Sequence, residues 1–195
     1  MKNNRFDLYD IVLVGVMAAI CFATTVFLKI TIPTPAGPVM LKLGNVFCLL
    51  AGLLFGGLRG GLAAGIGSAL YDLTDPLFVA DTPLTFIRFF LMAFLCGVIA
   101  QWGNRNKKGF AVNILAATVG SAFSLAFYWV KNITELVLAG SVFSAAVTAA
   151  TVKLVVSGIN AVAAVIIAVA IAPACKKALL RAGLGQKIPA LKKTS

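Results

Sequence analysis

Apolar residues fall along this chain in long runs broken by short polar stretches. The first run covers about 8–29. Two more, about 42–58 and 60–71, meet at the turn Gly56-Gly57-Leu58-Arg59-Gly60-Gly61. The last three occupy about 84–102, 110–131 and 152–173. Runs near twenty residues with few charges mark helices that cross a bilayer, since about 20 residues span its ~30 Å hydrocarbon layer. The pattern predicts an all-α integral membrane protein with six transmembrane helices, a single domain over 1–195 and a basic tail over 174–195. Ile30–Leu41 carries Pro33, Pro35, Gly37 and Pro38 and reads as a loop. Thr82 is expected to cap the fourth helix, with Pro83 in its first position. The third run, rich in small residues, crosses only part of the bilayer or packs tightly on its neighbours. Gly140–Thr151 is small and β-branched and fits either a helix or a connection, and the fifth run allows extension towards Leu138.

Composition agrees with the pattern. The chain is 61% hydrophobic and only 12% charged, against roughly half and a quarter in soluble domains. A net charge of +11 would suit nucleic acid, but the basic residues gather at the ends of the runs. With six spans, one side holds twelve of the seventeen basic residues: Lys2, Arg5, Arg59, Arg105, Lys107, Lys108, Lys176, Lys177, Arg181, Lys187, Lys192 and Lys193. Asp72, Asp75, Asp81 and Glu135 fall on the other. Positive charge marks the cytoplasmic side, so both termini are expected inside, and no nucleic-acid partner is expected.

Polar groups set into apolar runs are the candidates for chemistry. Arg88 lies inside the fourth helix, where a charge costs on the order of 3 kcal/mol unless paired or wet. It serves either a ligand or an ion pair with Asp72 or Asp75. Lys153 and Asn160 share one face of the sixth helix, two turns apart. They contact a ligand, or Lys153 snorkels while Asn160 bonds a neighbouring helix. Trp129, Lys131 and Asn132 carry the same two readings, with Trp129 suited to an interfacial anchor. With Asn45, Tyr71, Asp75, Asp81 and Thr82, these groups converge on the outer half, as a ligand-capturing site open to the exterior requires. Arg88, Lys153 and Lys131 suit an anionic or oxygen-rich ligand unless the aspartates neutralise them.

Several absences limit the alternatives. The chain has no histidine and no GxxxxGK[ST] loop, so it lacks the commonest general base and a Walker cradle for ATP. Its four cysteines stand singly, without metal spacing. No metal, cofactor or catalytic residue is expected. Gly15, Ala19 and Ala23 form a small-residue stripe on the first helix, fit either for internal packing or for docking another membrane subunit.

The block LKLGNVFCLLAGLLFGGLRGGLAAGIGSALYDLTDP, followed by TPLTFIR, completes the picture. With the helix count and the Gly15/Ala19/Ala23 stripe, it resembles the substrate-binding S components of energy-coupling factor (ECF) vitamin transporters. The resemblance covers nearly the whole chain. It implies a high-affinity binding subunit in the plasma membrane of a prokaryote. The pocket would be walled by helices 4, 5 and 6 and covered by the loops after helices 1, 3 and 5. It implies docking of Gly15, Ala19 and Ala23 on a membrane coupling subunit driven by two cytoplasmic ATPases, which alone use ATP. The implied ligand is a vitamin or precursor of the riboflavin, pyridoxine, hydroxymethylpyrimidine or pantothenate class. The rival readings are a self-sufficient small transporter or channel and a non-catalytic membrane assembly subunit.

Overall fold

A computed structural model describes residues 8–33, 39–105 and 109–181. Six helices follow in order: α1 (Leu8–Phe27), α2 (Gly44–Phe55), α3 (Gly57–Thr74), α4 (Thr82–Arg105), α5 (Gly109–Leu138) and α6 (Phe143–Arg181). Between α1 and α2 lies an antiparallel hairpin of β1 (Lys29–Ile32) and β2 (Val39–Lys42), with Lys29 opposite Lys42.

The hairpin corrects the expectation of a plain loop over Ile30–Leu41, and it takes Lys42 out of the second helix. Prolines forbid a helix there, but the β-branched residues flanking them pair readily as strands. Only 12 residues of α2 remain, about 18 Å of rise, too short to cross the hydrocarbon layer. Four helical stretches are long and apolar enough to do so: Leu8–Phe27, Val79–Gly103, Phe110–Leu138 and Phe143–Arg181. Ten of the twelve α2 residues are buried, so α2 is the inner helix of the bundle rather than a lipid-facing one.

The ends of other helices also differ from expectation. α3 runs to Thr74 instead of stopping at residue 71. Thr82 is the first residue of α4 rather than its cap, and its hydroxyl donates back to the Val79 carbonyl at 2.8 Å. α5 does reach Leu138, and α6 takes in the ambiguous stretch from Phe143. α6 also continues past Pro173 to Arg181. A proline removes one backbone hydrogen bond from a helix, and the turns on either side carry α6 through. Lys176, Lys177 and Arg181, expected in the tail, therefore belong to a helix. Residues 182–195, the rest of that tail, lie outside the described residues, as do Lys2, Arg5, Lys107 and Lys108.

Packing centres on α2, α3 and α4, with α1 against α3, α5 against α4 and α6 against both α2 and α5. The sharp α2–α3 turn requires glycine at Gly56, whose φ of 87° is the left-handed region. α4 comes close enough to that turn that a Cβ on Gly97 would sit 2.4 Å from Gly56 and Gly57 backbone atoms. The core is built from α2 leucines, Phe89 and many alanines, including Ala63, Ala64, Ala93 and Ala168. Val155, Ile159, Val162 and Ile166 are exposed at helical spacing along α6, an apolar face fit for lipid.

Side-chain ties define the two ends of the bundle. At one end Arg59, in the first turn of α3, pairs with buried Asp10 of α1 at 2.8 Å. At the other, Lys29 after α1 pairs with Asp75 after α3 at 3.1 Å. The second end holds the site.

Candidate functional site

A cavity of about 260 Å³ opens at that second end. α4, α5 and α6 form most of its wall, as the resemblance implied. α2 adds Asn45 and Leu49, α3 adds Asp72, and β2 adds Lys42. The connection after α3 contributes Leu77, Phe78 and Asp81. These elements meet here because α2 begins, and α3 and α5 end, at this end of the bundle.

Of the residues singled out from the sequence, Asn45, Asp72, Asp81, Arg88, Lys131, Asn132, Lys153 and Asn160 line the cavity together. Tyr71, Asp75, Thr82 and Trp129 do not. The Tyr71 hydroxyl donates to Asp75 at 2.6 Å, and Lys29 donates to both of them. The three join the hairpin to the end of α3. Trp129 reaches Thr151 of α6 through its indole N–H at 3.4 Å.

Sequence reasoning missed Ser121, Ser124, Tyr128, Glu135 and Ser157 in the lining, together with the apolar walls Phe89 and Phe127. Serines among alanines give no signal on a hydrophobic helix. The positions of Ser121, Ser124 and Tyr128, at three- and four-residue steps on α5, are the only pattern that marks them as one face.

The cations of the site are held in different ways. Lys131 bridges Asp81 at 2.6 Å and Glu135 at 2.9 Å. Lys153 donates to the Asn132 side-chain oxygen at 2.9 Å, and Asn132 in turn donates to the Tyr128 carbonyl at 2.7 Å. Lys42 lies over the Phe89 ring, 4.9 Å from its centroid, and faces the Asp72 carboxylate. Asp72 also meets the Thr85 hydroxyl. Arg88 does not form an ion pair with Asp72 or Asp75, one of the two readings open to it. Its Nε donates to Ser124 Oγ at 2.8 Å, and its guanidinium lies 4.4 Å from the Tyr128 centroid and 5.1 Å from that of Phe89.

Loss of hydration in its half-buried place lowers the pKa of Lys42, and the nearby Arg88 and Lys29 charges add to this while Asp72 opposes it. The Tyr71 hydrogen bond is the main force raising the pKa of Lys29. The same hydroxyl, by donating to Asp75, holds that carboxyl below its ordinary range.

An apolar bundle with a polar, charge-lined cavity at one end suits a membrane substrate-binding subunit. Residues 5–177 match the family profile described as "ECF-type riboflavin transporter, S component". The chain belongs to that family, whose members are vitamin-binding subunits of transporters and not enzymes.

Two solved structures share the fold. One is the S component for biotin from an ECF-type ABC transporter, with a TM-score of 0.60 and 18% identity over 88% of this chain and 94% of that one. The other is the S component of a bacterial ECF transporter, with a TM-score of 0.61 and 19% identity over 88% of this chain and 97% of that one. A Pyrococcus woesei protein, described as "Uncharacterized protein in gap 3'region", is 30% identical over 97 residues. That match takes in 50% of this chain and 62% of the relative's length.

Proposed function

We propose that this protein is the high-affinity binding subunit of an ECF-type importer in the plasma membrane of a prokaryote. It takes up a vitamin or precursor of the riboflavin, pyridoxine, hydroxymethylpyrimidine or pantothenate class from outside. The observation that carries this reading is the cavity at a single end of the bundle, lined by Asn45, Asp72, Arg88, Lys153 and Asn160. The Arg59 end faces the cytoplasm in this reading, with both termini, as the basic residues favour. A membrane coupling subunit and two ATPases supply the energy. On α1, Gly15 and Ala19 are exposed and Ala23 is half-buried, which supports their use as the docking face. Equilibrium binding of purified protein to a panel of those four vitamins tests the reading. One member is expected to bind tightly without ATP. Failure of all four to bind, with no vitamin copurifying, would remove it.

A further inference from the structure

The cavity lining holds four cationic side chains, Lys42, Arg88, Lys131 and Lys153, and three carboxylates, Asp72, Asp81 and Glu135. Asp81 and Glu135 share Lys131. Asp72 forms no ion pair among the described residues, and its charge acts on Lys42 and Arg88 together. Lys153 has the Asn132 oxygen as acceptor. Arg88 is left with a single hydroxyl, Ser124, bonded through Nε. Among the described residues no carboxylate lies within ion-pair distance of it, and its two terminal Nη groups bond no protein acceptor.

A guanidinium in this state is poised for recognition. The Ser124 bond and the Phe89 and Tyr128 rings fix its plane. Its Nη groups form a planar fork that matches the two oxygens of a carboxylate or phosphate. Leaving it without a directly paired carboxylate in a partly buried site costs free energy that an anionic ligand recovers.

We infer that the ligand carries an anionic group, carboxylate or phosphate, bound by Arg88. Phe89, Phe127 and Tyr128 cover its apolar part. The inference rests on the proposed function and narrows it, because it separates the acidic from the neutral members and derivatives of the vitamin classes named there.

The test compares matched pairs that differ only in the acidic group. These are pantothenate against pantothenol, riboflavin 5′-phosphate against riboflavin, and pyridoxine 5′-phosphate against pyridoxine. Purified full-length protein is titrated with each at constant ionic strength. In at least one pair the acidic member is expected to bind about tenfold or more tighter, as a charge-assisted bond warrants. The pantothenate and phosphate arms tell which anion is read. In Arg88→Gln the acid-to-neutral ratio is expected to fall to about one, and in Arg88→Lys to stay above one. The wild-type ratio decides the matter even where a variant does not fold. If a neutral member binds as well as or better than its acidic counterpart in every pair that binds, the inference is overturned and the proposed function stands. If neither member of any pair binds, hydroxymethylpyrimidine does not bind and no vitamin copurifies, both fall.

Discussion

A single hydroxyl governs one corner of the outer end. Tyr71 donates to Asp75 and accepts from Lys29, so it joins the hairpin to α3. The Asp75 pKa is depressed, so its contribution is present above the unfolded carboxyl range and is lost as pH falls through its folded value. The Lys29 pKa is raised, so its contribution is present below the ordinary lysine range and is lost only as pH rises through a still higher value. The tie therefore holds across the neutral range and opens in acid. Tyr71→Phe should loosen it without a pH change. The hydroxyl makes two bonds, but Lys29 and Asp75 stay paired with each other, so the net loss is about 1 kcal/mol, and hydrogen exchange at 29–32 and 39–42 should quicken about fivefold. Unchanged exchange there would mean that the Lys29–Asp75 pair and the backbone pairing hold the hairpin without the hydroxyl. The sequence marked Tyr71 and Asp75 as site residues because both are polar at the outer end. Their place beside the cavity depends on Lys29, 42 positions away from Tyr71, and no local pattern encodes that. Arg88 is similar: its burden in an apolar helix is legible, while its partner Ser124, on a different helix, is not.

At the scale of elements, glycine decides which helices touch. The long runs of α1, α4, α5 and α6 were legible because apolar periods of that length have few other uses. The shortness of α2 was not, since a buried helix and a spanning one share the same apolar composition. Gly97 shows why α2, α3 and α4 come together, since any side chain there would meet the Gly56–Gly57 backbone. Gly97→Ala is expected to destabilise the protein by about 1–3 kcal/mol, because backbone rather than a side chain must yield. Gly158 on α6 has nothing within 4 Å of a Cβ position. There Gly158→Ala should be neutral or stabilising, by up to about 1 kcal/mol, through helix propensity alone. Thermal unfolding in one detergent, with both variants side by side, checks the contrast. Equal effects would show that helix propensity, not the close approach of backbones, sets the requirement at Gly97.

For the whole molecule, binding and docking are assigned to separate places, and that separation is testable. No α1 residue lines the cavity, and α1 meets its neighbours chiefly through Val14, Met17, Ala18 and Cys21, all buried. Ala19 lies on the opposite, exposed side with Gly15, where a Cβ would meet nothing within 4 Å. From the sequence the stripe served equally for internal packing or for docking, because spacing fixes a face of a helix but not what that face meets. The exposure of Gly15 and Ala19 removes them from the packing of this chain. A bulky residue at 19 therefore has room in the isolated subunit, while a helix approaching closely from a partner would be held off. Ala19→Leu should leave vitamin affinity and melting temperature near wild type. In membranes that also contain the coupling subunit and its ATPases, uptake should fall by about tenfold or more, since even one or two kcal/mol lost from such an interface changes occupancy by that order. Lost binding in the purified variant would place Ala19 in the fold. Unimpaired uptake with intact binding would move the docking face to another helix.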